Sequence, residues 1–230
     1  MYNKIIHYGC SFTYGVDSGG DGIDDDKKSY PFYLSEITGI EYINRSNSGS
    51  SLSQMSLKVQ EDLQNKNNCE GKLAIVNLTS PYRIISSVAP WCKSTHNGID
   101  LYSSNVNSQT YIDDEKRAHL MDVKKLLAFE QDWIWHLNGY NTINSVYYQL
   151  MSNGIDVVFV DMLYNIQSLY EYFPLGGKIS DVMITGENGS VLSDAKIPNE
   201  YKSKSKHLYA KGYEMLARHI YHKMVEKNIL

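Results

Sequence analysis

The sequence predicts an α/β protein, a three-layer α/β/α sandwich around a central, mainly parallel sheet of about five strands. Three observations predict it. Short apolar runs alternate with helix-like stretches, the order that gives a parallel sheet with helices on both faces. The clearest runs, KLAIV and DVVFV, are apolar throughout rather than alternating, as strands covered on both faces are. Polar clusters rich in Gly, Ser and Asn follow the first three runs, at the strand ends where ligands gather in such sheets.

The elements follow in order. NKIIHYG reads as a first buried strand ended by glycine. The loop VDSGGDGIDDDKKS carries Asp21, Asp24, Asp25 and Asp26 without the spacing or distal Glu of a calcium loop, so it reads as a solvated loop. YPFYLSEITG predicts a helix, with Pro31 near its start and Gly39 just past its end. A short strand IEYIN, the cluster RSNSGSS and a helix LSQMSLKVQEDLQNK come next. KLAIVNLTS and DVVFVDML are the third and fourth strands, with roughly 75 residues between them, too many for an ordinary crossover. The second half of that connection, from Asp113 to Met151, looks helical, and the first half reads as an irregular insertion. DVMITGENGSVLSD predicts a strand or a hairpin turned at Gly186–Gly189, and AKGYEMLARHIYHKMVEK a closing amphipathic helix.

The totals exclude several classes. With 230 residues, 42% hydrophobic and 21% charged, the chain fits one domain over 1–230 with an insertion around 84–135. A net charge of −4 without a basic block argues against a nucleic-acid partner. No apolar run reaches a bilayer span, and the N-terminus lacks the apolar core of a signal peptide. Three cysteines, Cys10, Cys69 and Cys92, with no CxxC pair, favour reduced thiols in a cytoplasm over disulfides or a thiolate zinc site. The 19 tyrosines read as amphipathic core and rim packing before a carbohydrate surface.

In GCSFTYG two residues are candidate nucleophiles, Cys10 and Ser11. A thiol is the better nucleophile in itself, and a helix start would lower its pKa. Successive residues leaving a strand point in different directions, so if Ser11 faces a pocket Cys10 packs beneath it. A serine there gains from backbone N–H groups and a helix dipole that hold a developing oxyanion. It needs a base, and His207, just before the last helix, is the candidate at the same sheet edge. His7 reads as packed inside the first strand; His119, His136, His219 and His222 fall on helices; His96 lies in the insertion. Gly49 lets the backbone approach a ligand closely, or simply closes a turn.

These residues resemble the SGNH (GDSL-type) hydrolases. Gly9, Ser11, Phe12, Thr13 and Gly15 match the first block, with Cys10 in place of the aspartate. NRSNSGSS is similar to the second block through Asn44 and Gly49, and HLYAKGYEMLARHI resembles the fifth. The GCSFT variant, TSPYR and the long insertion together resemble SGNH-like proteins of phages and bacteria. The resemblance implies a flavodoxin-like sandwich and a serine hydrolase acting on an ester, an O-acetyl group on a sugar or a lipid-like acyl ester, without metal or organic cofactor. It implies Ser11 as nucleophile, His207 as base, and the N–H groups of Ser11 and Gly49 as oxyanion donors.

The chain departs from the family in two places. The third block's Gly-x-Asn-Asp is absent. Asn77 falls too early, still inside the strand, which leaves Thr79 or Ser80 as substitutes. The family's acid stands three residues before the histidine, where this chain has Lys204, and a lysine cannot accept an imidazole N–H. Asp194 and Glu200 are the nearest upstream carboxylates; a backbone carbonyl would leave a Ser–His dyad. Arg83 is a candidate partner for an acidic substrate group, or a solvated loop residue. Lys204, the altered third block and the tyrosine-rich insertion also fit a catalytically impaired module that binds carbohydrate or protein. A flavodoxin-like nucleotide binder lacks support, because the first loop has no GxGxxG or P-loop pattern.

Overall fold

A computed structural model describes residues 2–48, 50–65, 71–79, 83–84, 99–100, 132–164, 173–174, 176–187 and 189–230. In chain order its strands are β1 (Lys4–Tyr8), β2 (Glu41–Asn44), β3 (Lys72–Asn77), β4 (Arg83–Ile84), β5 (Ile99–Asp100), β6 (Asp156–Val160) and β7 (Met183–Ile184). Its helices are α1 (Ser11–Tyr14), α2 (Tyr30–Thr38), α3 (Leu52–Gln64), α4 (Asp132–Ser152), α5 (Gly177–Asp181), α6 (Val191–Asp194) and α7 (Ala210–Glu226). Five strands form one parallel sheet in the order β2-β1-β3-β6-β7, while β4 and β5 pair antiparallel with each other.

The expected five-stranded parallel sheet is therefore present. β1, β3 and β6 are buried along nearly their whole length, which is why their sequences are continuously apolar. α2 packs against α7, and α3 against α4. Right-handed crossovers put these two pairs on opposite faces of the sheet. The chain leaves β1 for β2 on one side and returns to β3 on the other, so strand order reverses between β1 and β3. A crevice opens at such a reversal, outside the carboxyl ends of the strands.

The helices end where the sequence says they should. α2 carries its proline in the first turn and stops at Gly39, whose φ of 70° suits a residue without a Cβ. α3 opens on a capping box: the Ser51 hydroxyl accepts the Gln54 N–H at 3.2 Å, and the Gln54 side chain accepts the Ser51 N–H at 2.9 Å. Ser51→Ala is expected to cost about 1 kcal/mol of unfolding free energy, read as a lower urea midpoint with an unchanged slope. α7 buries Tyr213, Leu216, Ala217, Ile220 and Met224, a helical stripe against the sheet.

Other expectations meet a more particular outcome. DVMITGENGSVLSD supplies both alternatives: β7 pairs parallel with β6, and a tight turn then bridges Gly186 and Gly189. α4 covers the later part of the expected helical stretch. Its earlier part, and most of the insertion around 84–135, lie outside the described residues.

His7 sits inside β1, fully buried, with Nδ1 3.2 Å from the Tyr30 hydroxyl and Nε2 without a partner among the described residues. Burial pushes its imidazole down to about 3, because a cation taken out of water loses its hydration. The unfolded chain takes up a proton at His7 near pH 6.5 that the native state refuses. Stability is therefore expected to fall as pH drops below about 6.5, until native His7 protonates as well. Urea midpoints measured from pH 7 to pH 4 check this, and His7→Gln should flatten the slope.

Candidate active site

The chain turns sharply between β1 and α1. A Cβ on Gly9 would lie 1.9 Å from the Thr13 hydroxyl oxygen, so only glycine lets the segment fold back this closely. The Cys10 carbonyl then accepts the N–H groups of Thr13 at 3.0 Å and Tyr14 at 2.9 Å, and Gly15, at φ 92°, ends the turn. This places Ser11 at the reversal between β1 and β3. Its side chain makes no hydrogen bond to the described residues and keeps slight exposure, 7%. α1 is a single four-residue turn, so the expected help from a helix dipole reduces to that of its individual N–H groups. Cys10 is fully buried in the core, near Tyr30 and Tyr213.

His207 is brought to the same place by a tight return of chain before α7. Lys202 and Leu208 form an antiparallel bridge, and the Ser203 N–H donates to the His207 carbonyl at 2.9 Å. Lys206 takes φ 65° at the tip. Within this turn Ser203 is buried and His207 largely so, whereas the Lys204 side chain is 92% exposed. The His207 ring packs on Phe12, the residue after Ser11, with centroids 5.0 Å apart. Nδ1 lies 2.7 Å from the Ser205 hydroxyl.

Behind Ser205 stands a carboxylate that the sequence did not single out, Asp17. It accepts the Ser205 hydroxyl, accepts the Ser203 hydroxyl at 2.7 Å and the Gly22 N–H at 2.7 Å, and lies 3.8 Å from His207 Nδ1. Burial alone would raise its pKa. The donors Ser205, Ser203 and Gly22, with the His207 charge, outweigh that and hold the carboxyl below its usual range. The Tyr213 hydroxyl donates to the Val16 carbonyl at 2.9 Å, tying α7 to this loop. The loop read as solvated is thus partly structural. Asp17 is 95% buried, while Asp21 pairs with Lys204 at 3.3 Å and accepts the Tyr209 hydroxyl at 2.7 Å.

Not every residue singled out in the sequence converges here. Among the described residues the carboxylate brought to His207 is that of Asp17; Asp194 caps a turn, accepting the Glu187 N–H. Glu200 lies in a short 3-10 turn upstream. Asn77 is inside β3, as expected, donating to the Tyr8 carbonyl at 3.3 Å and to the Tyr30 hydroxyl. Thr79, just past β3, is fully buried, and its hydroxyl has no partner among the described residues. Gly49 and Ser80 lie outside the described residues; of Arg83 the backbone alone is described, opposite Asp100. Asn44 braces the site, donating to the Thr13 carbonyl at 3.0 Å and to Asp26 at 2.7 Å. His136 is buried beside Tyr164; His96 and His119 lie outside the described residues. Among the described residues no group of three His, Cys, Asp or Glu could hold a metal, and no helix is long and apolar enough to cross a membrane.

No protein-family model matches the sequence, and no curated protein matches it. Solved structures do match in shape. A member of the lipolytic protein G-D-S-L family from Veillonella parvula aligns with 12% identity and a TM-score of 0.54, over 97% of this chain and 96% of that one. An acetyl xylan esterase from the rumen bacterium Butyrivibrio proteoclasticus aligns with 12% identity and a TM-score of 0.55, over 99% of this chain and 65% of that one. A psychrotrophic esterase from a Pseudoalteromonas species aligns with 9% identity and a TM-score of 0.51, over 97% of both chains. The five-stranded parallel order, the flanking helix pairs and these alignments agree: the chain has the SGNH-hydrolase fold.

Proposed function

We propose that the protein is a serine hydrolase that cleaves an ester, with Ser11 as nucleophile and His207 as base. The observation that carries this reading is the placement of His207 against Phe12, next to Ser11, at the reversal of strand order. With Nδ1 engaged by Ser205, Nε2 is the nitrogen that would take the Ser11 proton. In the first half-reaction the Ser11 oxygen attacks the ester carbonyl, His207 takes the proton, and the C–O bond to the alcohol breaks as His207 returns that proton to the leaving oxygen. Water then attacks the acyl-serine by the same route, releasing the acid. The Ser11 N–H, with that of Gly49, would hold the oxyanion, and Thr79 or Ser80 would add a third donor. Arg83 would meet an acidic group of the substrate.

The substrate class we favour is an acyl or O-acetyl ester on a small molecule or carbohydrate. The esterases and the acetyl xylan esterase of the same fold support it. The reaction uses protein groups and water. Hydrolysis of p-nitrophenyl acetate and of acetylated xylan, compared with Ser11→Ala, tests the reading. Turnover lost in the variant supports it, and no turnover by the folded protein on either substrate counts against it. One observation favours a second reading, a hydrolase-like module kept for binding: Lys204, at the family's acid position, points into solvent. That module would retain glycan or protein binding without turnover.

A further inference from the structure

We infer that Asp17 is the acid that positions His207, acting through the Ser205 hydroxyl, in place of the carboxylate absent at position 204. The inference rests on the hydrolase reading for its kinetic consequence, though not for its geometry.

Proton directions follow from chemistry. An ionised carboxylate only accepts, so the single Ser205 proton goes to Asp17. The Ser203 hydroxyl, 2.9 Å from that of Ser205, spends its own proton on Asp17, so the Ser205 oxygen accepts from His207, which puts a proton on Nδ1 and leaves the Nε2 lone pair to act as base. The chain His207–Ser205–Asp17 therefore fixes the tautomer that an acid in direct contact fixes elsewhere. It also passes part of the negative charge to an imidazolium, with the carboxylate 3.8 Å from Nδ1.

The carboxylate is held for this task. Gly22 N–H takes one of its oxygens, and Ser203 and Ser205 share the other. Asp17 itself sits at φ 61°, a left-handed conformation that aspartate tolerates better than most residues. Its N–H donates to Asp24 at 3.0 Å, and Val16 before it is pinned by Tyr213. Among the described residues, Asp17 is the carboxylate paired with His207; Asp24 accepts the Asp17 N–H, Asp21 pairs with Lys204 and Tyr209, and Lys206 precedes His207 in its own segment.

The test is a titration of His207 by NMR in the full chain, with its resonance assigned by His207→Gln, alongside pH profiles of kcat/KM. In Asp17→Asn the His207 midpoint is expected to fall, because an imidazolium loses its stabilising charge. The acid limb of kcat/KM should move to lower pH with it, and kcat should drop by about 10²–10⁴-fold. Ser205→Ala should lower the midpoint and the rate in the same direction, and Ser205→Thr should restore most of the loss by returning the hydroxyl. The Ser205 pair keeps Asp17 bonded to Ser203 and Gly22, so it decides the question even if Asp17→Asn does not fold. An unchanged His207 midpoint and acid limb in folded Asp17→Asn would overturn the inference, as would Ser205→Ala indistinguishable from the wild type. If the wild type turns over no ester, the hydrolase reading fails, while the NMR comparison still judges the Asp17 link.

Discussion

Ser11→Ala is expected to lower kcat on an activated ester by about 10⁴–10⁶-fold, with KM little changed. The size follows from removing the atom that forms the acyl bond. What remains is the modest catalysis of bound N–H donors. The fold should tolerate the change, because the Ser11 hydroxyl bonds no described residue, and its loss strands no buried donor or acceptor. Cys10→Ala makes the opposite pair of effects. The thiol is fully buried, so its removal should cost stability and leave turnover per folded molecule near the wild-type level. Thermal melts and initial rates on the two variants separate nucleophile from packing residue.

The second large effect is that of His207→Gln, expected to lower kcat by about 10⁴-fold or more. Glutamine is close in size and can still hydrogen bond to Ser205, and the side chain it replaces is partly exposed, 21%, so stability should move little. It cannot take a proton from Ser11. A serine hydroxyl without a base is a weak nucleophile, and its residual rate should lose the acid limb that a titrating imidazole imposes on kcat/KM. Rates across pH 5 to 9 on both proteins show whether that limb belongs to His207.

Much of this was legible because it is local. Continuous apolar strands, Pro31 and Gly39 around α2, and the Ser51–Gln54 box each carry their signal within a few residues. The positions of Ser11 and His207 at element ends were legible through short motifs; the roles proposed for them await the rate measurements above. Asp17 was not, because what makes it special is non-local: the serines that bond it stand 186 and 188 residues further on. Its loop is so rich in aspartate and glycine that one buried carboxylate looks like its solvated neighbours. SKSKH folds as a turn with Lys206 at φ 65°, so no strand alternation in the sequence signals that Ser203, Ser205 and His207 meet at one carboxylate. Asn77 was read correctly for the same local reason: it continues the apolar run of β3 and is buried with it.

Everything proposed for the site depends on Ser11 being an activated nucleophile. It is tested most directly by labelling the folded protein with a fluorophosphonate and mapping the adduct by fragmentation of the tryptic peptide from Ile5 to Lys27, which holds both Cys10 and Ser11. One adduct is expected, on Ser11, and it should be lost in His207→Gln. An adduct on Cys10, or none on protein shown by circular dichroism to be folded, would contradict it.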